Sequence, residues 1–233
     1  MTLTLGFLAL LMGAIVWWLF RQTINVQPWQ AQLAAHDVHC AILERPVAKT
    51  ALLVFLAVAT SLFTLFIGAY AMRLNFLDWT PIPQPRLLMA NTAVLIVASL
   101  AMEWTAFASR RGDIDRVRKG LLVSGALTFA FLIGQLIVWR QLAGAGYFLS
   151  TSAAAAFFYL LTAVHGVHVA GGLIAWGRSS IRAWGGGDAA RIRLGVELCA
   201  MYWHFLLAIW VVLFAVLVSN YLGLSICSPT LPL

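Results

Sequence analysis

Six apolar segments, each long enough to cross a lipid bilayer as a helix, dominate this sequence. They cover residues 2–20, 50–72, 87–108, 120–142, 151–177 and 194–219. About 20 apolar residues span the hydrocarbon core as a helix. Open strands and loops leave backbone N–H and C=O groups unpaired in lipid, so each segment is predicted to be helical. The fold class is therefore all-α: a polytopic membrane helix bundle with six transmembrane helices.

The composition and motifs support a membrane protein and argue against several other classes of protein. Hydrophobic residues make up 62% of the chain and charged residues 10%, against about 45–50% and about 25% in soluble domains. The net charge of +7 is explained by basic residues in cytoplasmic loops, so we expect no nucleic-acid partner. No phosphate-binding loop or G-x-S-x-G motif indicates a hydrolase or transferase.

The first segment is predicted to be an uncleaved helix, since it lacks a charged start and a signal-peptidase site. The predicted organisation is a transmembrane helix at 1–20, a cytoplasmic loop at 21–49, a five-helix core at 50–222 and a periplasmic tail at 223–233.

The distribution of Lys and Arg predicts the orientation of the chain. The loops after the first, third and fifth segments carry twelve of these residues, against three on the opposite side, Arg73, Arg86 and Arg140. Basic loops stay in the cytoplasm. Both termini are therefore expected outside.

Five ionisable residues lie within the apolar segments and a sixth, Arg140, lies at a segment end, and each costs about 2.5–3.5 kcal/mol at membrane depth. Glu103 lies near the cytoplasmic end of its segment, where it can reach water or a partner. His165 and His168, three residues apart, are expected on one helix face. Glu197 and His204, seven apart, are expected to share a face. The depths of His168 and His204 allow their imidazoles to face each other.

Three readings of these residues remain open. In the first, the histidines and Glu197 form an interhelical hydrogen-bond network that also reaches lipid headgroups, helped by close helix approach at the small residues of "HGVHVAGGL". In the second, His168 and His204 bind a haem b, although the bulky "MYWHF" leaves little room for one. In the third, the chain is a proton-coupled transporter using Glu197, although it lacks the internal symmetry of such proteins.

The tryptophans near segment ends are predicted to form an interfacial aromatic belt. They are Trp17, Trp18, Trp79, Trp104, Trp139 and Trp176.

Two long motifs resemble subunit III of the haem–copper oxidases. They are "FFYLLTAVHGVHVAGGLIAW" (157–176), with the family's H-G-x-H, and "ELCAMYWHFLLAIWVVLF" (197–214), with Glu five residues before Tyr-Trp-His-Phe. "FIGAYAMR" (66–73), "NTAVLIVAS" (91–99) and "GQLIVWRQL" (134–142) are also similar to helices of that family. The resemblance covers residues 50–222.

The resemblance implies a non-catalytic subunit that stabilises a respiratory oxidase, which reduces oxygen to water and translocates protons. Haem and copper are expected in partner subunits I and II, with no cofactor in this chain. Phospholipid contact and location in a bacterial inner membrane are also implied. The family-specific cluster is expected at His165, His168, Glu197, Tyr202, Trp203 and His204, with Trp139 and Arg140 as further candidates.

The sequence departs from the family pattern in three respects. Ala59 occupies a position where the family often has a membrane carboxylate. Leu207 replaces an Asp that many members carry after Tyr-Trp-His-Phe. One helix precedes the five-helix core, whereas long members have two and short members none. A divergent bacterial branch is expected.

Overall fold

The computed structural model describes residues 39–74 and 86–221, together with Gly13, Trp17, Phe76, Trp79 and Ile82. The regular structure of these residues consists of five α-helices: α1 His39–Arg73, α2 Arg86–Arg110, α3 Ile114–Gly144, α4 Ala153–Trp184 and α5 Ala189–Tyr221. All five are long and apolar enough to cross a membrane. The predicted helix at 2–20, except for Gly13 and Trp17, and the tail at 223–233 lie outside the described residues.

The five described helices confirm five of the six predicted spans. α1 begins at His39, so residues 39–49, which were expected at the end of a loop, are helical. Hydropathy locates only the part of a helix that crosses lipid. Ala, Leu and Glu in "AILE" have high helix propensity, so the helix extends beyond the apolar segment. For the same reason α3 and α5 also begin before the predicted spans.

The described residues form two compact units, which divide within α1 between Ala57 and Val58. In the first unit they are Gly13, Trp17 and α1 as far as Ala57. The second unit, Val58–Leu222, contains the rest of α1 and the other four helices. The contacts considered below lie within the second unit.

Helices α2 to α5 form a ring in which each helix packs against two others: α2 against α3 and α5, and α4 against α3 and α5. Two tight turns, 111–113 and 185–188, join α2 to α3 and α4 to α5. Gly112 and Gly186 have φ of 74° and 69°, a left-handed conformation in which glycine avoids strain. We call the end that carries these two turns the basic end, because most basic residues of this unit lie there.

The second half of α1 packs on the ring of helices through aromatic side chains. The phenyl group of Phe63 lies 5.2 Å from the imidazole of His168, measured between their centroids. Tyr70 makes edge contacts with Phe157 at 5.7 Å and with Trp79 at 5.1 Å. Aromatic pairs at such separations contribute about 0.5–1.5 kcal/mol beyond their buried area, and Ile67 of the same helix is also buried.

Glycines allow close contact within the ring at defined points. A Cβ on Gly172 would lie 2.7 Å from Cε1 of Tyr202, whereas one on Gly166 or Gly171 would meet no atom within 4 Å. In "HGVHVAGGL", the missing side chain of Gly172 therefore makes room for the ring of Tyr202 on α5. On α3, Gly125 lies under the indole of Trp176, whose Cε2 would be 2.7 Å from an added Cβ.

Gly125→Ala is expected to lower the melting temperature of the purified protein by roughly 2–10 °C, because overpacking costs about 1–3 kcal/mol. Gly166→Ala is the matched control, since its methyl group enters open space and alanine favours a helix. Its melting temperature should be unchanged or slightly higher. Equal loss in both variants would contradict the contact described for Trp176.

Candidate functional site

His165 lies at the centre of the ring. Its side chain is completely buried, and its Nε2 donates to the carbonyl oxygen of Leu206 on α5 at 3.2 Å, since a carbonyl can only accept. The imidazole packs 4.8 Å from the ring of Trp210 and 5.8 Å from that of Phe131. His165 therefore joins α4 to α5 within an aromatic environment.

His168 contacts a different helix from His165. It is partly buried, its Nδ1 donates to the carbonyl of Val164 at 2.8 Å, and its ring faces Phe63 on α1. The two histidines share one side of α4, as their spacing predicts, but contact different neighbours. Three residues advance a helix by about 300°, which leaves the two side chains about 60° apart, enough to direct them to different neighbours.

Glu197 and His204 do share a face of α5, as predicted, and both face α2. Glu197 Oε1 lies 3.7 Å from Nε of Arg110, and His204 Nε2 lies 3.8 Å from Oε2 of Glu103. Since the paired residues are seven apart on both helices, the contacts are about 10 Å apart along the axes. We call these four residues the polar ladder.

The polar ladder is anchored more tightly at the basic end. Glu197 also accepts a hydrogen bond from Nε of Arg193 at 3.0 Å and is only 17% exposed. At the deeper contact, the side chains of Glu103 and His204 are 51% and 37% exposed. Glu103 thus lies beside His204 rather than beside Arg110 or Arg111, and the two charges pair when the imidazole is protonated.

His168 and His204, whose similar depths allowed them to face each other, face different helices. His168 faces α1, whereas His204 faces α2 and donates from Nδ1 to the carbonyl of Ala200 at 2.6 Å. Two axial histidines need a shared slot for a haem, which this arrangement does not offer. In the described part of the chain, no three His, Cys, Asp or Glu side chains are grouped so as to hold a metal ion.

Three tryptophan–threonine hydrogen bonds join the helices of the ring. They run from indole Nε1 to threonine Oγ1 at 3.0 Å in every case: Trp139 to Thr162, Trp203 to Thr128 and Trp210 to Thr92. We call them the Trp–Thr pairs. Trp203 and Trp139 were site candidates, whereas Trp210 and the threonines were missed. The signal was present in "YWHFLLAIW", where two tryptophans seven residues apart share a helix face.

Each threonine hydroxyl donates its hydrogen within its own helix and accepts the indole N–H with a lone pair. The hydroxyls of Thr92, Thr128 and Thr162 donate to the carbonyl four residues earlier at 2.9, 2.7 and 2.7 Å. A hydroxyl has one donor hydrogen and two lone pairs, so a lone pair remains for the indole of another helix.

Two of the tryptophans predicted for the belt donate hydrogen bonds to a neighbouring helix. Trp139 is bonded to Thr162 across the α3–α4 contact, and Trp176 donates to the carbonyl of Leu121 at 3.0 Å. Distance from a segment end does not show which side of the helix a ring is on, and both rings lie toward the neighbouring helix.

Tyr202 and Arg140 are the remaining site candidates. Tyr202 donates from its hydroxyl to the carbonyl of His168 at 2.9 Å. Arg140 is exposed, at the end of the ring opposite the basic end, beside a groove of about 370 Å³ that Trp139 and Tyr159 also line. Tyr202 therefore contacts the backbone of His168, whereas Arg140 lies at the end of the ring opposite Glu197.

A buried amide pair was missed by the sequence analysis. Asn91 on α2 donates to Oε1 of Gln135 on α3 at 3.4 Å, and both side chains are buried. Gly134 leaves the room that Asn91 occupies. Both residues lie in quoted motifs, but nothing in the sequence shows that those motifs meet.

The fold and these contacts define a polytopic membrane protein whose buried polar side chains mainly bind its helices to one another. The family model described as cytochrome c oxidase subunit III matches residues 3–222, and the chain belongs to that family.

Individual relatives agree with this membership. A Mycobacterium tuberculosis (strain ATCC 25618 / H37Rv) protein named "Probable cytochrome c oxidase subunit 3" is 32% identical over 143 residues, covering 60% of this chain and 70% of the relative. The Synechocystis sp. (strain ATCC 27184 / PCC 6803 / Kazusa) protein named "Cytochrome c oxidase subunit 3" is 31% identical over 166 residues, covering 69% and 70%. One from Thermostichus vulcanus, with the same name, is 34% identical over 128 residues, covering 54% and 62%.

A double-mutant cycle with Trp203→Phe and Thr128→Val tests the Trp–Thr pairs. We expect a coupling free energy of about 0.5–1.5 kcal/mol, typical of one hydrogen bond, measured from unfolding in mixed micelles. Trp203→Phe combined with Thr92→Val is the control, because Thr92 bonds another indole and the two effects should add. Zero coupling in the first cycle would refute the bond.

Proposed function

We propose that this chain is subunit III of a haem–copper terminal oxidase in a bacterial inner membrane, with a structural role beside subunits I and II. The oxidase reduces oxygen to water and translocates protons, while this chain stabilises the complex. The family membership carries the proposal. The contacts of His165, Trp203 and Tyr202 support a structural role, because each joins one helix to another.

The polar ladder is our candidate for the contact with subunit I. Glu103 and His204 are substantially exposed although both lie in helices that can span the membrane. Charged groups at membrane depth normally face a bundle interior, water or a polar partner rather than lipid. A neighbouring subunit that supplies polar groups at this depth removes the penalty.

Glu197→Ala and His204→Ala are expected to reduce the amount of subunit I that co-purifies with a tagged chain by several-fold and to shorten the active lifetime of the oxidase. Each removes a polar group from the surface that is proposed to face subunit I at membrane depth, where polar groups need a partner. Lys119→Ala, an exposed change away from the ladder, should have no effect. Normal co-purification and lifetime in both ladder variants would contradict the role.

The proposal assigns haem and copper to the partner subunits. A tagged chain purified in mild detergent is expected to show haem in its reduced-minus-oxidised spectrum, and to lose it when harsher detergent removes the partners. Haem retained by the isolated chain would instead support the alternative of a haem b cytochrome. A chain that is stable and active in transport without partners would support the transporter alternative.

The proposal also includes a sixth transmembrane helix at 2–20, with both termini outside, and contact with phospholipids. Arg116→Cys and Ser150→Cys, in a chain with serine at Cys40 and Cys227, test the orientation. A membrane-impermeant maleimide added outside sealed cells should label the cysteine at position 150 and not the one at 116. The reverse pattern would overturn the predicted orientation.

A further inference from the structure

At the deeper contact of the polar ladder, between Glu103 and His204, two hydrogen-bond acceptors face each other. His204 donates from Nδ1 to the carbonyl of Ala200 at 2.6 Å, so the Nε2 of the neutral imidazole carries a lone pair and can only accept. This Nε2 lies 3.8 Å from Oε2 of Glu103, and a carboxylate also only accepts. The contact therefore needs a donor that the two side chains do not supply.

The contact nearer the basic end has its donors already. Glu197 accepts a hydrogen bond from Arg193 at 3.0 Å and lies 3.7 Å from Arg110, so two guanidinium groups serve one carboxylate. In the part of the chain that the structure describes, no Lys or Arg forms an ion pair with Glu103. The surplus of acceptors is thus confined to the deeper contact, about 10 Å along α2 from Arg110.

The deeper contact is open to the outside of the chain and has apolar surroundings. Glu103 and His204 are both substantially exposed. Leu100 and Phe107, three residues before and four after Glu103, lie on the same side of α2 and are exposed as well, as is Val211 on α5. A partner that packs on these apolar side chains would exclude water from the polar contact, as at the centre of protein interfaces.

We propose that the deeper contact accepts a lysine or arginine side chain of the neighbouring membrane subunit, which is subunit I in the proposed complex. Acceptors 3.8 Å apart are both within reach of one ammonium or guanidinium group that makes bonds of about 2.9 Å. A cation also balances the charge of Glu103, which a neutral hydroxyl would not, and charged groups at membrane depth pair with one another. The inference rests on the proposed function and specifies the chemistry of the partner.

The test measures how much subunit I co-purifies with the tagged full-length chain at about pH 8, where an ordinary imidazole is neutral. Glu103→Gln keeps the shape of the side chain and removes its charge, so we expect several-fold less subunit I. Asp115→Asn is the matched control, because it makes the same change in an exposed carboxylate at the basic end and should have no effect. Equal recovery with the two variants would overturn the proposal.

Glu103→Met and Glu103→Lys test the sign of the partner's charge. The two introduced side chains have similar lengths, but lysine would place a second cation against the cation of subunit I. We expect less subunit I with Glu103→Lys than with Glu103→Met. Equal or greater recovery with lysine would mean that the partner supplies no cation, which also overturns the proposal.

A bound proton is the other way to supply the donor, and pH distinguishes it from a cation of the partner. Lowering the pH from about 8 to about 5.5 protonates an ordinary imidazole, which turns the acceptor into a donor and repels a cation. Recovery of subunit I by the wild-type chain should therefore fall. Higher recovery at the lower pH would mean that a proton fills the contact and would overturn the proposal.

His204→Gln shows whether His204 causes this pH response. Glutamine offers an amide oxygen that accepts and does not titrate, so recovery should be close to that of the wild type at the higher pH and should not fall at the lower one. The other ionisable side chains of the ladder and of α4 are present in both proteins: Glu103, Arg110, His165, His168, Arg193 and Glu197. The same pH response in both proteins would contradict the role of His204.

The melting temperature of the chain stripped of its partners separates a contact with subunit I from a contact within the chain. Glu103 lies too far from His204 for a hydrogen bond, so Glu103→Gln should melt at the wild-type temperature. A lower melting temperature with normal recovery of subunit I would overturn the proposal, and if both fall, the pH comparison decides. Normal recovery with Glu103→Gln overturns this inference alone, whereas a wild-type chain that never co-purifies with subunit I refutes the proposed function as well.

Discussion

An indole N–H buried among transmembrane helices has no water to bind, so it needs an acceptor within the protein. The packing of the ring of helices depends on the acceptors that this chain provides. Trp139, Trp203 and Trp210 each donate to a threonine on another helix. An unpaired buried donor costs about 1–3 kcal/mol, so a helix rotated out of register would lose its bond and expose that penalty. In lipid the hydrophobic effect does not drive helices together, so van der Waals packing and interhelical hydrogen bonds determine the register. The Trp–Thr pairs and the aromatic rings packed around them fix the arrangement together.

The glycines and the buried polar side chains act together. Gly172 admits Tyr202, whose hydroxyl then reaches the carbonyl of His168. Gly134 admits Asn91, whose amide reaches Gln135. In both cases the missing side chain is what allows the bond to form, since a methyl group would occupy the position of the donor residue. Small residues in these helices are thus best understood through the larger polar residue that each one accommodates.

The sequence predicted which segments are helices, but not how each helix is rotated about its own axis. Segment length and hydropathy predicted α1 to α5, because both properties belong to one helix at a time. The shared face of Glu197 and His204 followed from their spacing for the same reason. The partners of His168 and His204 did not, because they depend on rotations of neighbouring helices, and a turn of less than 100° decides between α1, α2 and lipid. The start of α1 at His39 was missed because helix formation continues beyond the apolar segment.

The order in which the bonds become possible has a consequence for synthesis. Trp203 and Trp210 are carried by the last helix, and their threonine partners lie 75 and 118 residues earlier in the chain. While the ribosome is still making α5, α2 and α3 can pair as a hairpin, but the acceptors Thr128 and Thr92 wait for their donors. The same helix brings Glu197 and His204 to the polar ladder. A chain that stops before α5 would therefore lack one helix of the ring and two of the four residues of the polar ladder. Only a chain that has been synthesised through α5 can form the complete polar ladder.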